Sequence, residues 1–239
     1  MTHDARRLLL ISTSTVYGTG YLEHAFPEII DSLGSTRRIL FVPFALKDHT
    51  TYAAKARATF RAMGCELDSL HESPAPKDAI RDAEALFVGG GNTFRLLATL
   101  YRLDLLPLLR ARVAEGMLYC GASAGSNLAG PTIRTTNDMP IVEPPSLEAL
   151  GLVPFQINPH YVDPEPGSRH MGETREERLR QFHEENDAPV VGLREGSMLR
   201  VEGAEVLLRG IAGARIFRRG LDPVEASPGG SLEELLSGA

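Results

Sequence analysis

The sequence predicts an α/β fold: a doubly wound, mainly parallel sheet with helices on both faces. Three observations carry this expectation. Apolar runs such as Ile39-Leu40-Phe41-Val42 and Ala85-Leu86-Phe87-Val88 are continuous rather than alternating, as in strands buried on both faces. Segments with helical composition separate them. Two glycine-rich turns, Gly89-Gly90-Gly91-Asn92-Thr93 and Gly121-Ala122-Ser123-Ala124-Gly125, each follow directly on such a run. Sheets of this class bind ligands there, beyond the carboxyl ends of the strands.

Taken in order, residues 8–14 read as the first buried strand, followed by a polar, glycine-containing stretch. A helix is expected over 21–33, stopping at Gly34, and a strand over 38–45. The alanine-rich segment 51–63 reads as a helix ending at Gly64. A weaker strand over 66–71 and a short helix over 77–83 follow. The strand at 85–88 leads through the three glycines into helices over 94–101 and 105–115. Residues 117–120 form the next strand, and Ser126-Asn127-Leu128-Ala129 opens a helix.

After this point the pattern changes. Residues 131–142 are polar and β-prone, and Pro144, Pro145 and Pro154 flank a short helix-like piece at 146–150. This segment reads as an excursion over the ligand-binding edge. Phe155-Gln156-Ile157 returns as a strand that stops at Asn158-Pro159-His160, and 164–172 is a loop. Residues 173–185 form a charged, solvated helix, which Thr174-Arg175-Glu176-Glu177 can start as a capping box. A strand at 189–193 ends in Arg194-Glu195-Gly196, and 198–201, 205–209 and 215–219 read as short antiparallel strands. The tail from Asp222 is expected to pack loosely, with one short helical run. Without repeats or a long linker, residues 1–239 are expected to form one domain.

Composition narrows the function classes. The 239 residues carry a formal net charge of −6, so no broad basic face for nucleic acid is expected. Cys65 and Cys120 do not suggest a disulfide framework or a zinc site, and a reducing compartment fits them. The first apolar run is too short for a secretory leader or a membrane span. A soluble cytoplasmic protein is the expectation.

The chemistry centres on residues 117–127. A buried strand running into Gly-x-Ser-x-Gly and then a helix is the setting of a nucleophile elbow. Gly121 and Gly125 remove the Cβ atoms that would clash with neighbouring strand and helix. The turn lifts the Ser123 hydroxyl above the sheet edge and points the Ala124 N–H at an oxygen bound there. Gly89-Gly90-Gly91 could supply the opposing donor. On their own they read as a loop and helix start, with Asn92 or Thr93 as N-cap. No Lys-Ser/Thr follows them and the pattern is not G-x-G-x-x-G, so nucleotide binding is not indicated.

A serine hydroxyl needs a base, and the base needs an orienting acceptor. His160, in a loop held by Pro159 just past a strand end, is the candidate base. His3, His24, His49, His71, His170 and His183 lack such a setting and are expected at the surface. No H-E-x-x-H pair exists, so a zinc hydrolase is not indicated. For the orienting carboxylate two candidates stand: Glu195, at a strand end on the same edge, and Asp138, in the polar excursion, which could equally bind a substrate amine. Cys120, three residues before Ser123, is read as a small buried apolar residue rather than a rival nucleophile. Arg175, a cation in a first helical turn, is placed against the helix dipole, which invites an anion-binding role.

Together these residues resemble peptidase E, the alpha-aspartyl dipeptidases. The matching pieces are Gly89–Phe94, Gly121–Gly125, the run Pro131-Thr132-Ile133-Arg134-Thr135-Thr136-Asn137-Asp138-Met139-Pro140-Ile141-Val142, Gln156–His160 and Gly172–Glu176. The likeness covers nearly the whole chain and is weakest beyond about Gly220. It implies a serine-nucleophile version of the class I glutamine amidotransferase fold, which is flavodoxin-like. It further implies a cytoplasmic serine dipeptidase that hydrolyses Asp-X dipeptides with a free N-terminal aspartate, with no cofactor and no metal. Ser123 would be the nucleophile, His160 the general base and acid, and Glu195 the favoured orienter, with Asp138 kept in the site. Gly91 and Ala124 would donate to the oxyanion. Arg175 would pair with the aspartyl carboxylate, helped by Asn92 and Thr93, because a guanidinium fork suits a carboxylate. Family members form small assemblies, and a homodimer is expected. The alternatives are a related exopeptidase of cyanophycin-type specificity and a binding protein that keeps the scaffold without turnover.

Overall fold

The computed structural model describes residues 5–237, apart from 165, 166, 168 and 170. His3, His170 and part of the 164–172 loop lie outside the described residues.

Five parallel strands form the centre of a seven-stranded sheet: β1 (Arg7–Ile11), β2 (Arg38–Val42), β3 (Glu66–Ser69), β4 (Ala85–Val88) and β5 (Leu118–Ala122). Their order is β3-β2-β4-β5-β1, and the antiparallel strands β8 (Ser197–Glu202) and β9 (Glu205–Gly210) extend it beyond β1. The alternation of side chains along each strand divides the core in two. Leu9, Ile11, Phe41, Phe87 and Cys120 face helices α1 (Phe26–Leu33) and α2 (His49–Ala62), which bury Ile29, Leu33, Tyr52, Ala56 and Phe60 against them. Leu8, Leu10, Val42, Leu86, Val88 and Tyr119 face the other way. There they meet α4 (Thr93–Arg102) and α5 (Leu106–Ala114). A short helix α3 (Pro76–Asp82) precedes β4. Among the described residues no helix is long and apolar enough to cross a membrane.

The remaining strands form a second sheet that the apolar pattern does not announce. Its order is β11-β10-β7-β6, built from β6 (Gln156–Tyr161), β7 (Val190–Arg194), β10 (Ala214–Phe217) and β11 (Val224–Ala226). Only β6 and β7 run parallel in it. Helix α7 (Arg175–Glu185) carries the expected capping box: the Glu177 N–H donates to Thr174 Oγ1 at 3.1 Å, and the Thr174 N–H donates to Glu177 Oε2 at 2.6 Å.

Several expectations are corrected. The helix over 21–33 is a 3-10 turn, Glu23–Ala25, followed by α1, because Pro27 is accommodated only in a helix's first turn. Residues 146–150 are not helical. Their backbone is committed to the preceding excursion instead: the Ile133 N–H donates to Leu147 O at 2.9 Å, and the Ala149 N–H to Pro131 O at 2.9 Å. β6 does not stop before His160 but continues to Tyr161 through a register shift. His183 is buried rather than on the surface, with its Nδ1 at 3.1 Å from the Asn186 carbonyl. The tail is not loose. The Leu232 N–H donates to Val206 O at 2.8 Å, and Leu232 and Leu235 are buried in the core.

Leu235→Ala tests that last point. A buried leucine truncated to alanine costs about 2–5 kcal/mol, which for a chain of this size lowers Tm by roughly 4–20 °C. A change under about 1 °C in a thermal melt would restore the loose tail.

Candidate active site

The elbow begins where β5 passes into α6 (Ala124–Asn127). A Cβ on Gly125 would lie 2.2 Å from the Val88 carbonyl oxygen, and one on Gly121 would lie 2.6 Å from the Gly125 carbonyl. Only glycine permits this approach of helix to strand. Between the glycines, Ser123 takes φ 53° and ψ −107°, a region costly for any residue with a side chain. The surrounding bonds hold it there. The Ser123 N–H donates to Ile11 O at 2.9 Å. Ser126 Oγ donates between Ile11 O and Gly121 O, at 2.7 and 2.8 Å, and Tyr119 OH donates to Gly125 O at 2.6 Å.

Ser123 Oγ lies 2.9 Å from His160 Nε2, and His160 Nδ1 lies 2.8 Å from Glu195 Oε1. With the ring proton on Nδ1 facing the carboxylate, Nε2 is left to accept from the serine hydroxyl. His160 also has a positive φ, 54°, at the register shift in β6. Its N–H donates to Ser12 Oγ at 3.0 Å, and Ser12 Oγ donates to Leu193 O at 2.8 Å, so the end of β1 ties the bulge to β7. Asn137 Nδ2 donates to Pro159 O at 2.7 Å and Asn158 Nδ2 to Asn137 Oδ1 at 2.8 Å. The polar excursion therefore acts as a clamp on the histidine loop.

Glu195 sits in the turn after β7. Beside it, Arg194 makes a two-pronged contact with Asp163, at 2.7 and 2.8 Å, and reaches Glu225. Hydrogen bonds to Asp163 and Glu225 hold the Arg194 guanidinium well above its ordinary pKa. The Arg194 hydrogen bond holds the Asp163 carboxyl below the usual range. This link fixes the end of β7, and thus Glu195, against the end of β6, and thus His160.

Asp138 is elsewhere. Its Oδ2 accepts from the Thr93 N–H at 2.7 Å, from Thr93 Oγ1 at 2.6 Å and from Thr136 Oγ1 at 3.3 Å, at the N-terminus of α4. It lines the cleft with Ser123 but makes no hydrogen bond to His160. Asn92 and Thr93, expected to help hold a ligand, have their polar groups committed to the fold. Asn92 Oδ1 caps α4 by accepting from Arg95 N–H at 3.0 Å, and its Nδ2 donates to Met139 O at 2.8 Å. Thr93 is buried beneath Asp138. Arg175 stands at the first position of α7 and has no hydrogen bond or ion pair among the described residues. Burial, with Arg178 nearby, pulls its guanidinium below the ordinary value, and Asp138 opposes this.

The cleft over Ser123 has a volume of about 420 Å³, and its lining includes Gly90, Gly91, Asp138 and His160. A Cβ on Gly90 would be 3.1 Å from Ser123 Cβ, so this glycine brings the loop against the serine. Gly91 has φ 133°. Its N–H and that of Ala124 have no backbone acceptor among the described residues, as suits donors for a ligand oxygen. Cys120 is buried, and burial pushes its thiol up to about 12. Among the described residues no group of three or more His, Cys, Asp or Glu could hold a metal. The same cleft includes Ser14, Tyr21, Tyr52 and Lys55. Sequence reasoning missed these and Ser12. The only signal for Tyr52 and Lys55 was their i, i+3 spacing on one helix face.

A strained serine whose hydroxyl meets an oriented imidazole, beside free backbone amides, equips an α/β protein for acyl transfer, the chemistry of serine hydrolases. The chain belongs to peptidase family S51, whose model matches residues 8–209. It is 58% identical to peptidase E of Streptomyces coelicolor over 229 residues, 96% of this chain and 94% of that one. It is 49% identical to a Drosophila melanogaster protein named "probable alpha-aspartyl dipeptidase", over 98% of each chain. The fold is similar to that of a solved peptidase from an acI-B1 actinobacterium. The TM-score is 0.69 at 18% identity, covering 97% of this chain and 98% of that one.

Cys120 supplies a prediction. A thiol titrating at about 12 gives almost no thiolate at pH 8, so iodoacetamide should leave Cys120 unmodified in the native protein and label it in urea. Native labelling at pH 8, read by peptide mass, would readmit it as a rival nucleophile.

Proposed function

We propose that this chain is a serine dipeptidase that hydrolyses Asp-X dipeptides with a free N-terminal aspartate. The observation that carries the catalytic part is the unbroken contact from Ser123 through His160 to Glu195, at 2.9 and 2.8 Å. The names of the relatives support the substrate class. In this reading His160 takes the Ser123 proton as the oxygen attacks the peptide carbonyl. The amides of Ala124 and Gly91 receive the oxyanion, and His160 passes the proton to the leaving amine. Water then attacks the aspartyl ester, with the same histidine as base. Glu195 orients the imidazole and stabilises its charged form.

Asp138 has a different part in this reading. An ionised carboxylate suits the substrate's N-terminal ammonium, and Arg175 suits its β-carboxylate. The proposal also includes the class I glutamine amidotransferase-like arrangement of the fold, one domain over 1–239, a cytoplasmic setting and a homodimer.

Hydrolysis of Asp-Leu, Glu-Leu, Asn-Leu and N-acetyl-Asp-Leu tests the reading. We expect cleavage of Asp-Leu alone, reduced at least about 10³-fold by Ser123→Ala. Cleavage of none by the folded protein, with no organophosphate adduct on Ser123, would overturn it in favour of a binding protein.

The two carboxylates separate kinetically. Glu195→Gln should lower kcat on Asp-Leu by roughly 10–10⁴-fold. Asp138→Asn and Arg175→Ala should act mainly by raising KM. The opposite assignment, with kcat lost in Asp138→Asn and retained in Glu195→Gln, would make Asp138 the orienter.

A further inference from the structure

The cleft has two walls, one from each face of the sheet, with Ser123 between them at the end of β5. On one side Asp138 sits on the N-terminus of α4, whose Leu96, Leu97 and Leu100 belong to one half of the core. On the other side stands α2, whose Tyr52, Ala53 and Ala56 belong to the other half. From that second wall Lys55 reaches over the Tyr21 ring, with Nζ 4.4 Å from the ring centroid. Tyr21 OH lies 3.2 Å from Tyr52 OH, and Tyr52 packs edge-on against Phe41 at 5.0 Å, so the platform beneath the lysine is fixed.

Lys55 is the one lysine or arginine among the described residues that directly line the cleft, with Arg175 near Asp138 outside that lining. Elsewhere on the protein, cations such as Arg38, Arg57, Lys77 and Arg194 meet carboxylates. The Lys55 ammonium makes no hydrogen bond or ion pair with any described residue, although it carries three donors. Burial raises the pKa of both neighbouring phenols, so neither supplies a counter-charge at neutral pH. An exposed, unpaired cation over this platform, in the cleft that holds the serine–imidazole pair, is ready for an anion on the bound substrate.

A dipeptide brings an anion to that side. If the aspartyl residue lies against Asp138, with Arg175 near it, the leaving amino acid lies across Ser123 and ends in a free carboxylate. We infer that Lys55 binds the C-terminal carboxylate of the substrate and so selects dipeptides with a free C-terminus. This inference rests on the dipeptidase reading. A longer or blocked peptide moves or removes the charge that Lys55 would meet. Lys55 is thus a specificity residue for chain length, with Tyr21 and Tyr52 positioning it.

The test compares Asp-Leu with Asp-Leu-amide, which differ only in that terminal charge, for wild type, Lys55→Met and Lys55→Arg. Wild type should prefer the free acid. Lys55→Met keeps the apolar stem over Tyr21 and should lower the acid-to-amide ratio of kcat/KM about tenfold, mainly through KM for Asp-Leu; this is the scale of one charged hydrogen bond. Lys55→Arg should keep most of the ratio. An unchanged ratio in Lys55→Met overturns the inference, whether both substrates slow together or neither does. An equal loss on both would assign Lys55 to the aspartyl side or to the scaffold. A wild-type protein that cleaves neither peptide would instead overturn the dipeptidase reading and this inference with it.

Discussion

The site depends on one steric constraint, the approach of α6 to β4 and β5. The space that a side chain on Gly125 would need is already filled by the Val88 carbonyl, and Gly121 is pressed in turn against Gly125. The chain can make this turn only if Ser123 takes up the conformational cost, of order 1–3 kcal/mol. Its neighbours secure that conformation. The Ser126 hydroxyl bridges two strand carbonyls, and the Ser123 N–H is bound to β1. Strain at the serine is therefore sustained by ordinary hydrogen bonds a few residues away. It leaves the hydroxyl raised and the Ala124 amide free.

The second requirement is a histidine brought to that hydroxyl from a different sheet. β6 reaches the serine only through its register shift, where His160 adopts a positive φ. A local irregularity of this kind is a designed feature of many sites because it re-aims a side chain. Here it is clamped from three directions: Ser12 from β1, Asn137 from the excursion, and the Asp163–Arg194 pair across β6 and β7. The excursion thus positions the histidine, and this explains why so polar a segment packs close to the core.

The parts legible in the sequence were those governed by local rules. Continuous apolar runs gave the parallel strands, and the spacing of Gly121, Ser123 and Gly125 gave the elbow. Thr174 and Glu177 gave the start of α7. What could not be read were long-range choices. Nothing local in Gln156–Tyr161 or Val190–Arg194 says which sheet they join, because that is set by partners far along the chain. The excursion's pairing of 131–133 with 147–149 overrides the helix-like composition of 146–150, and nothing local announces that pairing. The residue readings left Asp138 and Glu195 open for the same reason. Each follows a plausible element, and only the tertiary partners Thr93 and Thr136 draw Asp138 to a helix N-terminus, while Glu195 meets the imidazole.

That separation of two carboxylates has a chemical consequence. Asp138 accepts three hydrogen bonds at the N-terminus of α4, which hold its carboxylate in place. Glu195 is half-exposed and spends its contact on the imidazole. A carboxylate so saturated is poorly suited to turn toward a histidine, yet it is well suited to hold a fixed negative charge beside a ligand. A doubly wound sheet then gives the cleft its polarity. One face contributes Asp138 with Arg175 near it, the other contributes Lys55, and the proposed nucleophile lies on the strand between them. A zwitterionic peptide entering such a cleft meets different charges at its two ends. In the proposed reading, the winding of the fold, and not only the residues touching the scissile bond, sets which way round the substrate binds.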